Sequence, residues 1–463
     1  MAKLKVLLKG LGGALMLAWA LPPAVSPAQG ATLEVGAGAR FSTIAEAIAA
    51  AAPGDEISVG PGEYRGNLVV DKALSITGTG MPKIIGEGKG TVVLIKADGV
   101  RISGFEISGS GLDMMKSNAG VGIRADRAVV AGNRIIGNLF GVYFAGSDFS
   151  VVENNVVVGR KEFEESRRGP GIHLFDSRDN IVRGNDVSYV RDGVYFDHAD
   201  RNLVVQNKFY ELRYGVHYMF CGENSFRDNV FRDSTGGVAI MYTERVELSG
   251  NYIYNNRKSH NSFGILLKDC LDCTAEKNAV VNNGTGILMD NSHRNLISSN
   301  LVAYNDVAVQ LFASSLENGF SKNDFVGNLA VLHTVGRAKA DWSPGGAGNF
   351  YSDAPAYDLD GDGAGDVPHR LQDAFEYLEG NHPLLRIYLG GAAADALALA
   401  ERAFPVIESS DQYDDAPMVR PVSGVEFDAA GRDETRTAEK GIPAALSGLA
   451  FLLAGFLSWR LRR

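Results

Sequence analysis

The stretch GVYFDHADRNLVVQNKFYELRY (residues 193–214) runs directly into GVHYMFCGENSFRDNVFRDSTG (residues 215–236). Each opens on Gly-Val, continues with alternating apolar residues, turns a polar corner and reaches an Asn three residues after an apolar position. The same unit recurs along most of the chain, with its Asn at Asn133, Asn155, Asn185, Asn207, Asn229, Asn251, Asn278, Asn300 and Asn323. Five of the eight intervals are 22 residues, one is 23 and two are longer. A unit this short cannot bury its own apolar side chains, but stacked units share a continuous core. The spacing predicts an all-β fold, a right-handed parallel β-helix with about 22 residues per coil, over residues 31–340. That length gives roughly fourteen coils. The Asn of each unit is expected at a turn, in left-handed geometry, stacked on the Asn of the next coil.

Parity then assigns the faces. In the Gly215 unit Val216, Tyr218 and Phe220 alternate with His217, Met219 and Cys221. Equivalent positions in neighbouring units are apolar, as at Val194, Phe196, Val238 and Ile240, so the first set is expected inside and the second outside. Met241 occupies the register of Met219 one coil on, and His173 that of His217 two coils back. Thioether and thiolate are soft donors and imidazole suits copper as well, so His217, Met219, Met241, His173 and Cys221 form a candidate Cu(I) site. Zinc fits less well, because methionine is a poor zinc ligand. The competing reading makes the methionines packing residues and His217 a satisfied surface histidine. Cys270 and Cys273 are close enough in sequence for a disulfide, whereas Cys221 and Cys270 lie two coils apart, roughly 9.6 Å, too far for one.

The remaining signals concern the ends and the loops. Thr43 and Glu46 have capping-box spacing for a helix whose apolar face would cover the first coil. Charged or polar insertions at 159–170 and 255–262 are expected as protruding loops. Asp358, Asp360, Asp362 and Asp366 alternate with glycines in a manner that suits Ca2+, although His369 stands where an EF-hand has glutamate. A C-terminal module is expected over 341–407, with a helix at 393–403. An acidic linker follows at 408–441, with nine carboxylates from Glu408 to Lys440 against four bases.

Basic residues, an apolar run and small residues make 1–30 a secretory signal peptide. The apolar run 442–459, closed by Arg460, Arg462 and Arg463 in a cytoplasmic tail at 460–463, reads as a transmembrane helix. Together these ends predict a periplasmic rod tethered to the inner membrane. A formal net charge of −10 and the lack of a basic stripe exclude nucleic acid as a partner. No Gly-x-x-x-x-Gly-Lys-Ser/Thr loop is present, so ATP hydrolysis would fall to another chain.

Three functional readings fit these residues: a metal carrier, a polysaccharide lyase or uronate epimerase using the Asp197-His198-Ala199-Asp200 patch, and a passive scaffold binding sugar or protein. Arg213 to Cys221, Gly348-Asn349-Phe350-Tyr351-Ser352-Asp353 and the Asp358 to Pro368 loop together resemble the NosD family of periplasmic nitrous oxide reductase maturation proteins. The resemblance spans nearly the whole mature chain. It implies a non-enzymatic subunit of an ABC transporter built from a permease and a cytoplasmic ATPase. Such a subunit would receive Cu(I) from a lipoprotein copper chaperone and take part in supplying nitrous oxide reductase. The family pattern has a small polar residue where this chain has Cys221.

Overall fold

The computed structural model describes residues 30–372 and 412–427, with isolated positions between them. Three parallel sheets of 13, 12 and 13 strands wind into a right-handed β-solenoid. Each coil contributes one strand to each sheet. In the coil that starts at Tyr214 these are Tyr214–Met219, Ser225–Arg227 and Val230–Arg232. Pairing is strictly coil to coil, for example Val194 with Val216 and then Val238. At about 4.8 Å per coil the rod is roughly 60 Å long.

Inward residues of all three sheets form one apolar column that includes Val216, Tyr218, Phe226, Phe231 and Ile240. The corners hold it in register. Nδ2 and the backbone N–H of Asn207 both donate to Oδ1 of Asn229 at 3.0 Å, and those of Asn229 to Oδ1 of Asn251 at 3.0 Å. The ladder continues through Asn278, Asn300 and Asn323 to Asn349. Two further ladders, Asn180–Asn202–Asn224 and Asn256–Asn283–Asn305–Asn328, occupy the other corners. The left-handed residue is not the laddered Asn but the one before it: Gln206, Asp228, Lys277, Ser299 and Lys322 have φ from 54° to 57°. That residue turns the chain, and the Asn that follows points its amide inside.

The first coil is covered as the sequence suggests. Helix α1 (Ile44–Ala50) has the capping box of Thr43 and Glu46 and buries Ile44, Ala47 and Ile48. At the other end Trp342 stacks on Phe320 with ring centroids 4.3 Å apart. Part of the expected linker is not free. Residues 412–427 form a strap that climbs back along the third sheet. Gln412 accepts from Trp342 Nε1 at 2.9 Å, and Asp414 binds Asn349 and Tyr351. Asp324 then accepts from Val422 N at 2.7 Å, and Phe427 packs on Tyr252 and Tyr254. The segment docks here because the outward face offers the Asp324 carboxylate to its backbone N–H groups and an apolar patch, including Tyr254, Ala279 and Val281, to Val425 and Phe427.

Among the described residues no helix is long and apolar enough to cross a membrane. Residues 1–29 of the expected signal peptide, most of the 393–403 helix and the membrane helix at 442–459 with its tail lie outside the described residues.

A buried amide with no partner costs more than the bond itself is worth. Asn229→Ala is expected to lower unfolding stability by about 2–3 kcal/mol, whereas Arg134→Ala on the exposed face should change it by less than about 0.5 kcal/mol. Urea denaturation of the two variants checks the contrast.

Candidate copper site on the outer face

The 12-stranded sheet, which contains Tyr214–Met219, carries the functional side chains, because its strands are long enough to set several outward residues on each coil. One outward column reads Tyr143, His173, Tyr195, His217 and Ala239. The column beside it reads Phe175, Asp197, Met219 and Met241. His217, Met219 and Met241 therefore emerge on one patch from adjacent coils, each partly exposed.

Two members of the expected set do not join them. The strand ends at Met219, and Phe220 takes φ 55°. That left-handed residue reverses the alternation: Phe220 is 53% exposed and Cys221 is 6% exposed inside the core. Cys221 Sγ accepts from Ala199 N and donates to Met219 O, and burial pushes its thiol up to about 12. It is a core thiol, not an outward ligand. His173 keeps the expected register, but Tyr195 lies between it and His217, stacked at 4.6 and 4.7 Å from the two rings. Histidines two coils apart, with a phenol ring between them, do not share one ion.

His173 is itself unusual. It is 8% exposed, flanked by Phe140, Tyr143 and Tyr195, and neither ring nitrogen has a hydrogen-bond partner. Burial first, and then the charge of Arg191, hold its pKa down at about 3.

His217 has the opposite environment. Its Nδ1 lies 3.2 Å from Oδ2 of the fully buried Asp192 and 3.1 Å from Nη2 of Arg213. Arg213 grips the same carboxylate through Nε at 2.9 Å and Nη2 at 2.8 Å, and its guanidinium stacks over Tyr214. Burial opposes the Asp192 charge, but its contacts with His217 and Arg213 outweigh it and hold the carboxyl at about 2. The hydrogen-bonding contacts of His217 to the described residues run through Nδ1. A carboxylate behind one imidazole nitrogen commonly orients a metal-binding histidine. Tyr195 Oη also donates to Met219 Sδ at 3.9 Å. Asp192, Tyr195 and Arg213 were not singled out from the sequence. The signal available was a carboxylate at Asp192, directly opposite Tyr214 of the next coil in a register that continues to Gly236 and Phe263.

The other expected features fall elsewhere. Carboxylate oxygens of Asp358, Asp360 and Asp366 lie within 4.8 Å of one another, an arrangement open to a hard cation, while Asp362 turns away to accept from Ala364 N. Cys270 and Cys273 are buried free thiols. Asp197 and His198 pair at 2.6 Å on an exposed corner.

The sequence matches the family described as "Periplasmic copper-binding protein (NosD)" over residues 153–356. It is 31% identical over 379 residues to the "Probable ABC transporter binding protein NosD" of Pseudomonas aeruginosa, covering 78% of this chain and 88% of that one. The chain belongs to the NosD family. The protein of the same description from Stutzerimonas stutzeri is 31% identical, over 78% of this chain and 85% of its own. Both relatives are described as binding proteins. The NosD family is periplasmic and copper-binding by its description, which agrees with the soft donors on the outer face. Among solved structures, the Yersinia enterocolitica family 28 exopolygalacturonase is similar at TM-score 0.49 and 9% identity, covering 67% of this chain and 78% of its own.

His173 makes the stability of the rod depend on pH. The unfolded chain protonates this histidine below about 6.5, while the folded chain resists protonation down to about 3. The unfolded state therefore binds more protons in that window, and stability falls as pH drops from 6.5 toward 3. His173→Phe, which suits the aromatic sleeve, is expected to flatten this slope by up to about 1.4 kcal/mol per pH unit. Urea midpoints between pH 4.5 and 7 measure it.

Proposed function

We propose that this NosD-family protein is the copper-delivery subunit of an ABC transporter system that matures nitrous oxide reductase. Its partners would be a membrane permease, a cytoplasmic ATPase and a lipoprotein copper chaperone. The observation that carries the reading is the outward patch of one imidazole and two thioethers, His217, Met219 and Met241, backed by the buried Asp192. Thioethers favour Cu(I) over harder ions, and an imidazole completes a three-donor set suited to a cuprous ion. Copper is cargo here. A site on the flank of a rod gives it up readily, since an incoming ligand attaches before the outgoing ones leave.

The chain's own residues do three things in this reading. Met219 and Met241 supply soft donors from consecutive coils, a coil spacing of about 4.8 Å apart. Asp192 and Arg213 both lie beside Nδ1 of His217 and hold its ring in place. The Tyr195 and Tyr214 rings wall the histidine on two sides and limit its rotation. The relatives' description as ABC transporter binding proteins supports the transporter partnership. The acidic loop at Asp358, Asp360 and Asp366 is proposed as a Ca2+ site that rigidifies the end of the rod.

The test is an anaerobic chelator competition. Replacing His217, Met219 and Met241 together by Ala should weaken Cu(I) binding by more than about 100-fold, and His173→Ala should leave it unchanged. Retained affinity in the triple variant removes this site.

A further inference from the structure

Two groups compete for one nitrogen of His217. Nδ1 lies 3.1 Å from Arg213 Nη2 and 3.2 Å from Asp192 Oδ2. A guanidinium only donates hydrogen bonds, and an ionised carboxylate only accepts them. A neutral imidazole carries a single N–H, so Nδ1 satisfies one neighbour or the other. Bonding to Arg213 needs a lone pair on Nδ1, which puts the proton on Nε2. Bonding to Asp192 needs the proton on Nδ1, which leaves Nε2 with the lone pair that a metal requires. The number of bound protons is the same in both arrangements; only their position differs.

The surroundings of Asp192 favour the first arrangement. Its Oδ2 accepts from Arg213 Nη2 at 2.8 Å and from Arg191 Nε at 3.1 Å, and the His217 contact is the longest of the three. Two guanidinium donors fill the two lone pairs of that oxygen. Asp192 is fully buried, so it gains no freedom by turning to solvent. Arg213 is fixed from the other side by the Tyr214 ring, 4.5 Å away. Its side chain is still 33% exposed, so it stays within reach of a group outside the rod.

We propose that Arg213 is a positioning residue that keeps His217 in the Nε2–H tautomer, closing that nitrogen to metal until Arg213 withdraws. The metal half of this statement rests on the copper reading above; the tautomer half does not. A ligand that needs the minor tautomer binds with an apparent affinity reduced by that tautomer's fraction. An anionic group on a docking partner, by drawing Arg213 to itself, would let Nδ1 pick up a proton from water while Nε2 gives one back to water; Asp192, still ionised, then accepts the Nδ1–H hydrogen bond, and Nε2 is open at the moment of contact. The copper patch then behaves as a gated site rather than a standing one.

Nitrogen NMR of histidine-labelled protein without metal reads the tautomer directly. Wild type should show His217 as Nε2–H, and Arg213→Met should convert it to Nδ1–H. Arg213→Lys keeps a cation beside Asp192 but lacks the guanidinium fork; it should also shift His217 toward Nδ1–H, and it serves if the Met variant fails to fold. In the chelator competition, Arg213→Met should raise Cu(I) affinity about tenfold, the worth of one hydrogen bond, and adding His217→Ala should erase the gain. An Nδ1–H wild type, or a tautomer unmoved by either substitution, overturns the proposal. So does copper binding through His217 with no gain in Arg213→Met. If the tautomer switches while neither protein takes Cu(I) through His217, the copper reading falls and control of the tautomer by Arg213 stands.

Discussion

The buried asparagine amide is the constraint on which the remainder of this molecule rests. Each laddered Asn accepts two hydrogen bonds through one oxygen from the Asn of the preceding coil, and its own amide donates onward. Those side chains are buried, so losing a bond leaves its partner unpaired in the interior. Coil spacing and register thereby become fixed, and outward side chains from successive coils arrive at constant separation. Met219 and Met241 face the same way because Asn207, Asn229 and Asn251 leave them no alternative.

The same regularity explains which parts of the molecule were legible in the sequence. The 22-residue period reveals the coil, the sheets and the end cap, since each follows from local pattern. Parity correctly places His217 and Met219 outside and Val216 and Tyr218 inside. It fails one residue later, at Phe220 and Cys221, because alternation holds only while the backbone is extended. A single left-handed residue exchanges inside and outside. Phe at such a position is not signalled by propensity, which favours Gly, Asn or Asp there. The ladder also shifts this geometry away from the Asn itself to its predecessor, a distinction that composition does not carry.

The site's supporting shell was hidden for a different reason. Asp192 lies on the preceding coil and meets His217 only through coil stacking, while Arg213, a few residues before His217, reaches it by the length of its side chain. A carboxylate opposite Tyr214, with Arg213 just before that tyrosine, is the trace such a shell leaves. His173 shows the converse. Its register is plain in the sequence, but its solitude is not: only the packed aromatic sleeve reveals an imidazole deprived of every polar partner. Within one column of one sheet, two histidines thus have opposite chemistry, one kept neutral by apolar walls and one poised between an acid and a base.

The strap at 412–427 has a mechanical consequence. Solenoids are weakest at their last coil, which has a neighbour on one side only. Here the chain leaves that coil and fastens itself to the flank, at Asp324 and then at Tyr252 and Tyr254. Tension applied beyond residue 427 meets Phe427 first, then Val425 and Ser423, and reaches the terminal coil only after those grips have let go in turn. The strap is a sacrificial fuse that spares the rod from being unravelled from its end.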